Sequence, residues 1–144
     1  MRTSSFVQKL ALLTLSTVLF CALALAGCKS VVGDRAVETY NENPYTVAIP
    51  SNLSPEEVER TIVQVLADRQ WVVTERSPKE VVAQLNHRVW RAKAILKVDG
   101  NVIRILSDSS LKNATTGKFE TAVPKGWLEN LQHDLIRRLA TTPG

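Results

Sequence analysis

Hydrophobic and polar positions along the chain form three kinds of pattern. An apolar run covers Leu10–Leu25 and is interrupted only by three hydroxyl residues, Thr14, Ser16 and Thr17. Beyond residue 43, apolar residues recur at helical spacing in two segments and alternate with polar residues, as in strands, in five others. The order β-α-β-β-β-β-α predicts one α+β domain over residues 44–140. In it, two amphipathic helices pack on one face of an antiparallel meander sheet.

The first predicted helix covers Leu53–Arg69 and has a clear beginning. Ser54 is expected to be the N-cap, Pro55 the first helical residue, and Glu57 the partner of Ser54 in a capping box. The apolar stripe of this helix consists of Val58, Ile62, Val65 and Leu66. These local signals agree with one another, so the helix is expected to bury the stripe against the sheet.

The second predicted helix begins at Pro124 or Lys125 and ends at Leu139. Its apolar positions are Trp127, Leu128, Leu131, Leu135, Ile136 and Leu139. Arg137 and Arg138 fall in its last turn, where the helix dipole favours positive charge. Residues 141–144 are expected to form a frayed tail.

The strands are predicted at residues 45–49, 71–75, 81–87, 90–98 and 102–107. Asp99-Gly100 is a strong hairpin signal between the last two. If these two residues form the loop, Leu96 lies opposite Ile103 and Ala94 opposite Ile105. This register brings the apolar faces of both strands together.

Two polar segments are predicted to lack regular structure. Residues 28–43 have mixed charge and no sustained apolar period, which favours a flexible tether. Ser107–Lys118 is rich in Ser, Asn and Thr, which favours a loop whose end is fixed to the core by Phe119 and Val123.

The N-terminal segment has the order of an export signal. Arg2 and Lys9 precede the apolar run, and small residues follow it before Cys28. Leu25-Ala26-Gly27-Cys28 resembles the bacterial lipobox. The resemblance implies that residues 1–27 are removed and that Cys28 carries diacylglycerol and further acyl chains, palmitate among them. The alternative is an uncleaved membrane-spanning helix over 10–27, which is near the lower length limit.

The predicted anchor also bears on location and charge. Two or more acyl chains, at roughly 0.8 kcal/mol per buried CH₂, hold a protein stably on a membrane. Lys29, in place of the Asp that marks inner-membrane retention in enteric-type lipoproteins, implies the periplasmic face of the outer membrane. Removal of the signal lowers the formal charge from +4 to +2, because two of the 18 basic and none of the 14 acidic residues lie in it. It also leaves no free thiol, since Cys21 is removed and Cys28 is acylated.

Several short motifs resemble a group of small proteobacterial outer-membrane lipoproteins of unassigned function. They are Arg69-Gln70-Trp71-Val72-Val73, the hairpin at Asp99-Gly100, Ile105–Leu111, and Trp127-Leu128 with Leu131. The chain departs from that group at Pro124-Lys125-Gly126, where a Tyr-Asn pair is usual. The resemblance implies lipidation and an α+β fold, and it implies no activity.

The candidate binding site is a cationic patch on the predicted sheet. Its four residues, Arg91, Lys93, Lys97 and Arg104, fall on the outward face of two paired strands, with Ile95, Val102 and Leu106 among them. Such a patch fits an anionic envelope component or an acidic protein partner. The alternative is a solvated sheet face whose charges discourage aggregation.

Other chemistry has little support in the sequence. His87 and His133 are the only histidines, and no metal-ligand spacing accompanies them, so we expect no metal site and no cofactor. The segment Ser107-Asp108-Ser109-Ser110 lacks the setting of a catalytic triad, and its side chains are expected to close the strand end by bonds to the backbone. We therefore predict no catalytic residues.

The sequence thus favours a non-enzymatic binding or accessory module of the cell envelope, anchored to the membrane through its lipid. Two alternatives remain: an envelope hydrolase or transferase whose site is assembled from distant residues, and a purely structural envelope protein. Nucleic-acid binding is not expected, because the chain carries an export signal and few aromatic residues to stack bases.

Overall fold

The computed structural model describes residues 30–143. They form β1 (Val31–Val32), α1 (Ala36–Glu42), β2 (Tyr45–Ala48), α2 (Pro55–Asp68), β3 (Val72–Ser77), β4 (Glu80–His87), β5 (Trp90–Asp99), β6 (Val102–Ser107), β7 (Ser110–Lys112), β8 (Phe119–Val123) and α3 (Lys125–Thr141). The predicted α+β class is confirmed. The predicted export signal and Cys28 lie outside the described residues.

The strands form one antiparallel sheet with a long central strand. β3, β4, β5 and β6 follow one another as the predicted meander. The second half of β5 pairs with β6, and its first two residues pair with β7. β2 then continues the sheet beyond β6, while β8 and β1 continue it beyond β7. The sheet therefore divides into two branches on one side of β5.

The helices α2 and α3 pack together over one face of the sheet, as expected. The capping box of α2 is confirmed, because Ser54 Oγ accepts from the Glu57 amide at 3.3 Å and Glu57 Oε2 accepts from the Ser54 amide at 2.7 Å. In α3 the buried stripe is Leu128, Leu131, Leu135 and Leu139. Ile136, predicted in this stripe, is 50% exposed because it lies about 100° around the helix from Leu135.

The hairpin at Asp99-Gly100 has a different register from the one predicted. Asp99 pairs with Val102, so the loop residues are Gly100 and Asn101. Gly100 has φ of 60°, which places glycine at the first loop position, as a type II′ turn favours. Leu96 consequently lies opposite Ile105. The observed register differs from the predicted one by two residues, so the same side chains face the core in both.

The predicted tether over 28–43 is wrong from Val31 onward, since these residues are folded into the domain. β1 pairs with β8, and Ala36 and Tyr40 of α1 are buried in the core. Tyr40 Oη donates a hydrogen bond to the Ile105 carbonyl at 2.7 Å. A helix of two turns with one short apolar stripe is too brief to be recognised by periodicity, and its stability comes from these distant contacts.

The polar segment at 107–118 is also more ordered than predicted. β7 and β8 form a hairpin whose turn covers residues 113–118. Val123 is buried as expected, but Phe119 is exposed on the opposite side of the sheet from α2 and α3. The predicted frayed tail begins one residue later than expected, because α3 continues to Thr141.

Candidate functional site

The face of the sheet opposite α2 and α3, here called the outer face, carries the predicted cationic patch. On β5, Ala92, Ala94 and Leu96 point into the core, so the alternate residues point outward. Arg104 of β6 lies directly opposite Lys97 and shares its face. The outer face therefore holds all four patch residues: Arg91, Lys93, Lys97 and Arg104.

The centre of the outer face is apolar. Val82, Ile95 and Leu106 are opposite one another on β4, β5 and β6 and form one row across the three strands. Val82 is only 4% exposed although no helix covers it. Val82 was not predicted to be buried. The consecutive valines at 81 and 82 indicate a strand that is buried on both faces. Cations thus flank an apolar row on both sides.

Three of the patch residues have partners within the protein. Lys93 Nζ lies 3.2 Å from Asp108 Oδ2, and Lys97 Nζ lies 3.3 Å from Glu80 Oε2. The Arg91 guanidinium carbon lies 3.7 Å from the centre of the Phe119 ring, which is a cation–π contact. The two ion pairs are solvent-exposed and contribute little to stability, but their carboxylates reduce the positive field of the outer face.

Arg104 differs from the other three. In the described part of the chain its side chain makes no hydrogen bond or ion pair, and its cross-strand neighbour Lys97 has the same charge. Like charges directly opposite in a sheet repel each other. A half-buried guanidinium in this position has donors available for an anion.

A surface cavity of about 510 Å³ lies beside Arg104. We call it the Arg104 hollow. Its cations are Lys79, Lys97 and Arg104, its carboxylates are Glu80 and Asp99, and Asn41, Val98 and Leu106 complete the lining. The cations exceed the carboxylates by one, and Leu106 of the central row adds an apolar wall. The arrangement suits a ligand with a negatively charged group joined to an apolar part.

Asn41 is the residue of this site that sequence reasoning missed. Its Nδ2 donates to the Ser107 carbonyl at 2.8 Å, and its Oδ1 accepts from the Ser107 amide at 2.9 Å. The side-chain amide thus makes the two hydrogen bonds that a neighbouring strand would make with the end of β6. It lies between the two branches of the sheet. This contact joins residues 66 positions apart, and no local pattern in the sequence predicts it.

Of the side-chain to backbone bonds predicted for Asp108 and the neighbouring serines, those of Ser109 are confirmed. Ser109 Oγ accepts from the Lys93 amide at 3.0 Å, and Ser107 Oγ and Ser109 Oγ lie 2.8 Å apart. Both serines are buried. Asp108 is exposed and pairs with Lys93 through its side chain, so its own contribution is an ion pair. Among the described residues, neither histidine is hydrogen-bonded to these hydroxyls.

The histidines lie apart from each other and from the patch. His133 is exposed on α3, and the His87 ring meets the Trp127 ring edge-on at a centroid distance of 6.0 Å. Within residues 30–143, no group of three His, Cys, Asp or Glu side chains is placed to hold a metal ion.

An ion-paired seam joins the ends of α2 and α3. Arg69 Nε donates to Asp134 Oδ2 at 2.6 Å, and this hydrogen bond holds the pKa of the Asp134 carboxyl below its ordinary value. Arg137 also pairs with Asp134, and Arg138 pairs with Asp68. Each of the three arginines in this seam has a carboxylate partner within the protein, so it is a structural contact.

Comparison with protein-family models gives no match, and comparison with curated proteins gives none either. In the described part of the chain, no helix has both the length and the apolar character needed to cross a membrane.

Proposed function

We propose that the protein is an outer-membrane lipoprotein of the small proteobacterial type. Its lipidated Cys28 holds the domain at the periplasmic face, where it works without catalysis as a binding or accessory module for an anionic envelope component. The pattern Leu25–Cys28 supports the anchor. With β1 beginning at Val31, only two residues separate the acylated cysteine from the folded domain.

The observation that carries the binding proposal is Arg104 without a counter-ion beside Lys97. A cation opposite another cation is more stable when it has a carboxylate partner of its own. Lys97 has such a partner in Glu80 and Lys93 has one in Asp108, but Arg104 has none among the described residues. Guanidinium groups bind phosphate through two parallel hydrogen bonds. A phosphate-bearing lipid headgroup is the favoured ligand, because the short linker keeps the domain near the membrane.

The apolar row next to the hollow supports the same ligand. Ile95 and Leu106 are half-buried, so each leaves part of its side chain accessible beside the cations. An amphiphilic molecule with a charged head can contact both. A purely electrostatic partner would not require this row, and it would bind with a much steeper dependence on salt.

Charge reversal on the outer face tests the proposal. A soluble form beginning at Lys29 retains every described element, and we expect it to sediment with vesicles that contain a phosphate-bearing anionic lipid. The double variant Lys97→Glu and Arg104→Glu is expected to lose at least tenfold in apparent affinity. Arg60→Glu with Arg137→Glu is the matched control, because it changes the net charge equally and both residues are exposed cations on the helices.

Three outcomes separate the alternatives. Loss of binding in the double variant but not in the control supports the hollow as the site. Equal weakening in both variants indicates attraction to the whole protein rather than to a site. Binding to an acidic protein or to cell-wall carboxylates in place of vesicles would retain the site and change the ligand.

A further inference from the structure

A second cavity lies at the end of the domain where α2, α3 and the meander meet. It measures about 280 Å³, and its walls include Trp71, Leu85, His87 and Trp127. We call it the tryptophan pocket. It is on the helix-covered side of the sheet, and none of its lining residues lines the Arg104 hollow.

The three tryptophans of the chain lie at or beside this pocket. Trp71 and Trp127 line it, and the third tryptophan, Trp90, lies 5.7 Å from Trp127 between ring centroids. Trp90 and His87 contact Trp127 and restrict its rotation. Trp127 is half-buried, so part of a firmly held indole ring stays accessible in the pocket. Such a ring costs little conformational entropy when it binds a ligand.

The polar lining of the pocket includes one ion-paired arginine and two carboxamides. Arg69 is paired with Asp134 at 2.6 Å. Gln70 and Asn130 are exposed carboxamides, and neither side chain makes a hydrogen bond within the described residues. Each carboxamide can both donate and accept. The pocket therefore offers two free amides beside aromatic rings.

Gln70 occupies a position where glycine is usual. It follows the last turn of α2 with φ of 63°, and the Trp71 amide donates to the Leu66 carbonyl at 2.9 Å, as in a Schellman ending. A residue with a side chain is strained there. The strained residue is also the one that brings a carboxamide to the pocket, and glycine would relieve the strain and remove the amide.

From this combination we propose that the tryptophan pocket binds a neutral sugar ring of a glycan. The C–H face of a pyranose carries partial positive charge and packs on the negative face of an indole. Its hydroxyl groups need partners that donate and accept, which the two carboxamides provide. The polar rim disfavours an acyl chain. The space suits about one ring, so affinity for a single unit is expected to be weak.

The test uses the full chain in detergent micelles, with the three indole N–H signals followed by NMR. The probes are a tetramer of N-acetylglucosamine and a tetramer of glucose, which represent acetylated and unmodified pyranoses. We expect saturable shifts of the Trp71 and Trp127 signals with at least one tetramer. We also expect that tetramer to show saturation transfer from the protein. The probe that binds identifies which of the two sugar types the pocket accepts.

Two variants distinguish loss of the site from loss of the fold. Gln70→Gly is expected to raise the midpoint of thermal unfolding and to weaken the tetramer at least threefold. Asn130→Ala is expected to weaken it similarly with unchanged stability. Lys97→Glu with Arg104→Glu should leave tetramer binding intact, so this inference fails or holds independently of the proposed function. The absence of saturable shifts with both tetramers, or unchanged affinity in both Gln70→Gly and Asn130→Ala, would overturn it.

Discussion

The Asn41 contact with Ser107 makes a quantitative test of whether residues 31–43 belong to the folded domain. Ser107 is fully buried, and Asn41 satisfies both its amide and its carbonyl. Asn41→Ala leaves these two groups without partners. Each buried unsatisfied group costs about 1–3 kcal/mol, and water entering from the nearby surface reduces this. We therefore expect a loss of about 2–4 kcal/mol in the free energy of unfolding.

Urea denaturation of the form beginning at Lys29 measures this loss. With a slope of about 2 kcal/mol per molar urea, the midpoint should fall by at least about 1 M. Glu42→Ala is the matched control in the same helix, because Glu42 is exposed and makes no side-chain bond within the described residues. It should change stability by less than about 0.5 kcal/mol. Equal, small effects of both substitutions would mean that residues 31–43 act as a tether, contrary to the structure.

Three further predictions concern the anchor, the helix seam and the core. Cys28→Ser should leave the protein unacylated, so that it no longer partitions with membranes after cell fractionation; unchanged partitioning would refute the lipid anchor. The pKa of Asp134 is depressed in the folded protein by Arg69, so the stability from this pair is present above the unfolded pKa and is lost as pH falls through the folded one. Asp134→Asn should therefore flatten the acid limb of the stability curve, and an unchanged limb would contradict the assignment. Leu135→Ala should cost about 2–5 kcal/mol and Ile136→Ala less than about 1 kcal/mol in denaturant unfolding, since only the first is buried; the reverse order would show that the stripe of α3 is misplaced.

Elements with strong local signals could be predicted from the sequence. The capping box of α2 lies within four residues, and the meander follows from short turns between alternating segments. The hairpin register was displaced by two because Asp99-Gly100 and Gly100-Asn101 both fit a two-residue turn. A displacement of one residue would have exposed the core, so periodicity excluded it, but a displacement of two leaves the faces unchanged.

Long-range contacts account for what the sequence did not reveal. α1 is stable because Tyr40 and Asn41 bond to β6, and these bonds join segments about 65 residues apart. Strand alternation was enough to predict that the four patch residues share one face. The charge balance of the patch could not be predicted in this way, since it depends on Glu80 and Asp108 from other parts of the chain. The tryptophan pocket likewise draws its lining from three separate stretches, 69–71, 85–87 and 127–130, so no sequence window contains it.

In-cell photo-crosslinking from the outer face tests the central claim most directly. Thr46 is exposed and lies opposite Arg104, so a photoreactive residue in its place reports on the Arg104 hollow. We predict a crosslink to a phosphate-bearing envelope component that disappears in the Arg104→Glu background and is absent from the same probe at Gln64 on α2. The same crosslinks from both positions, or a Thr46 crosslink that persists with Arg104→Glu, would contradict the account.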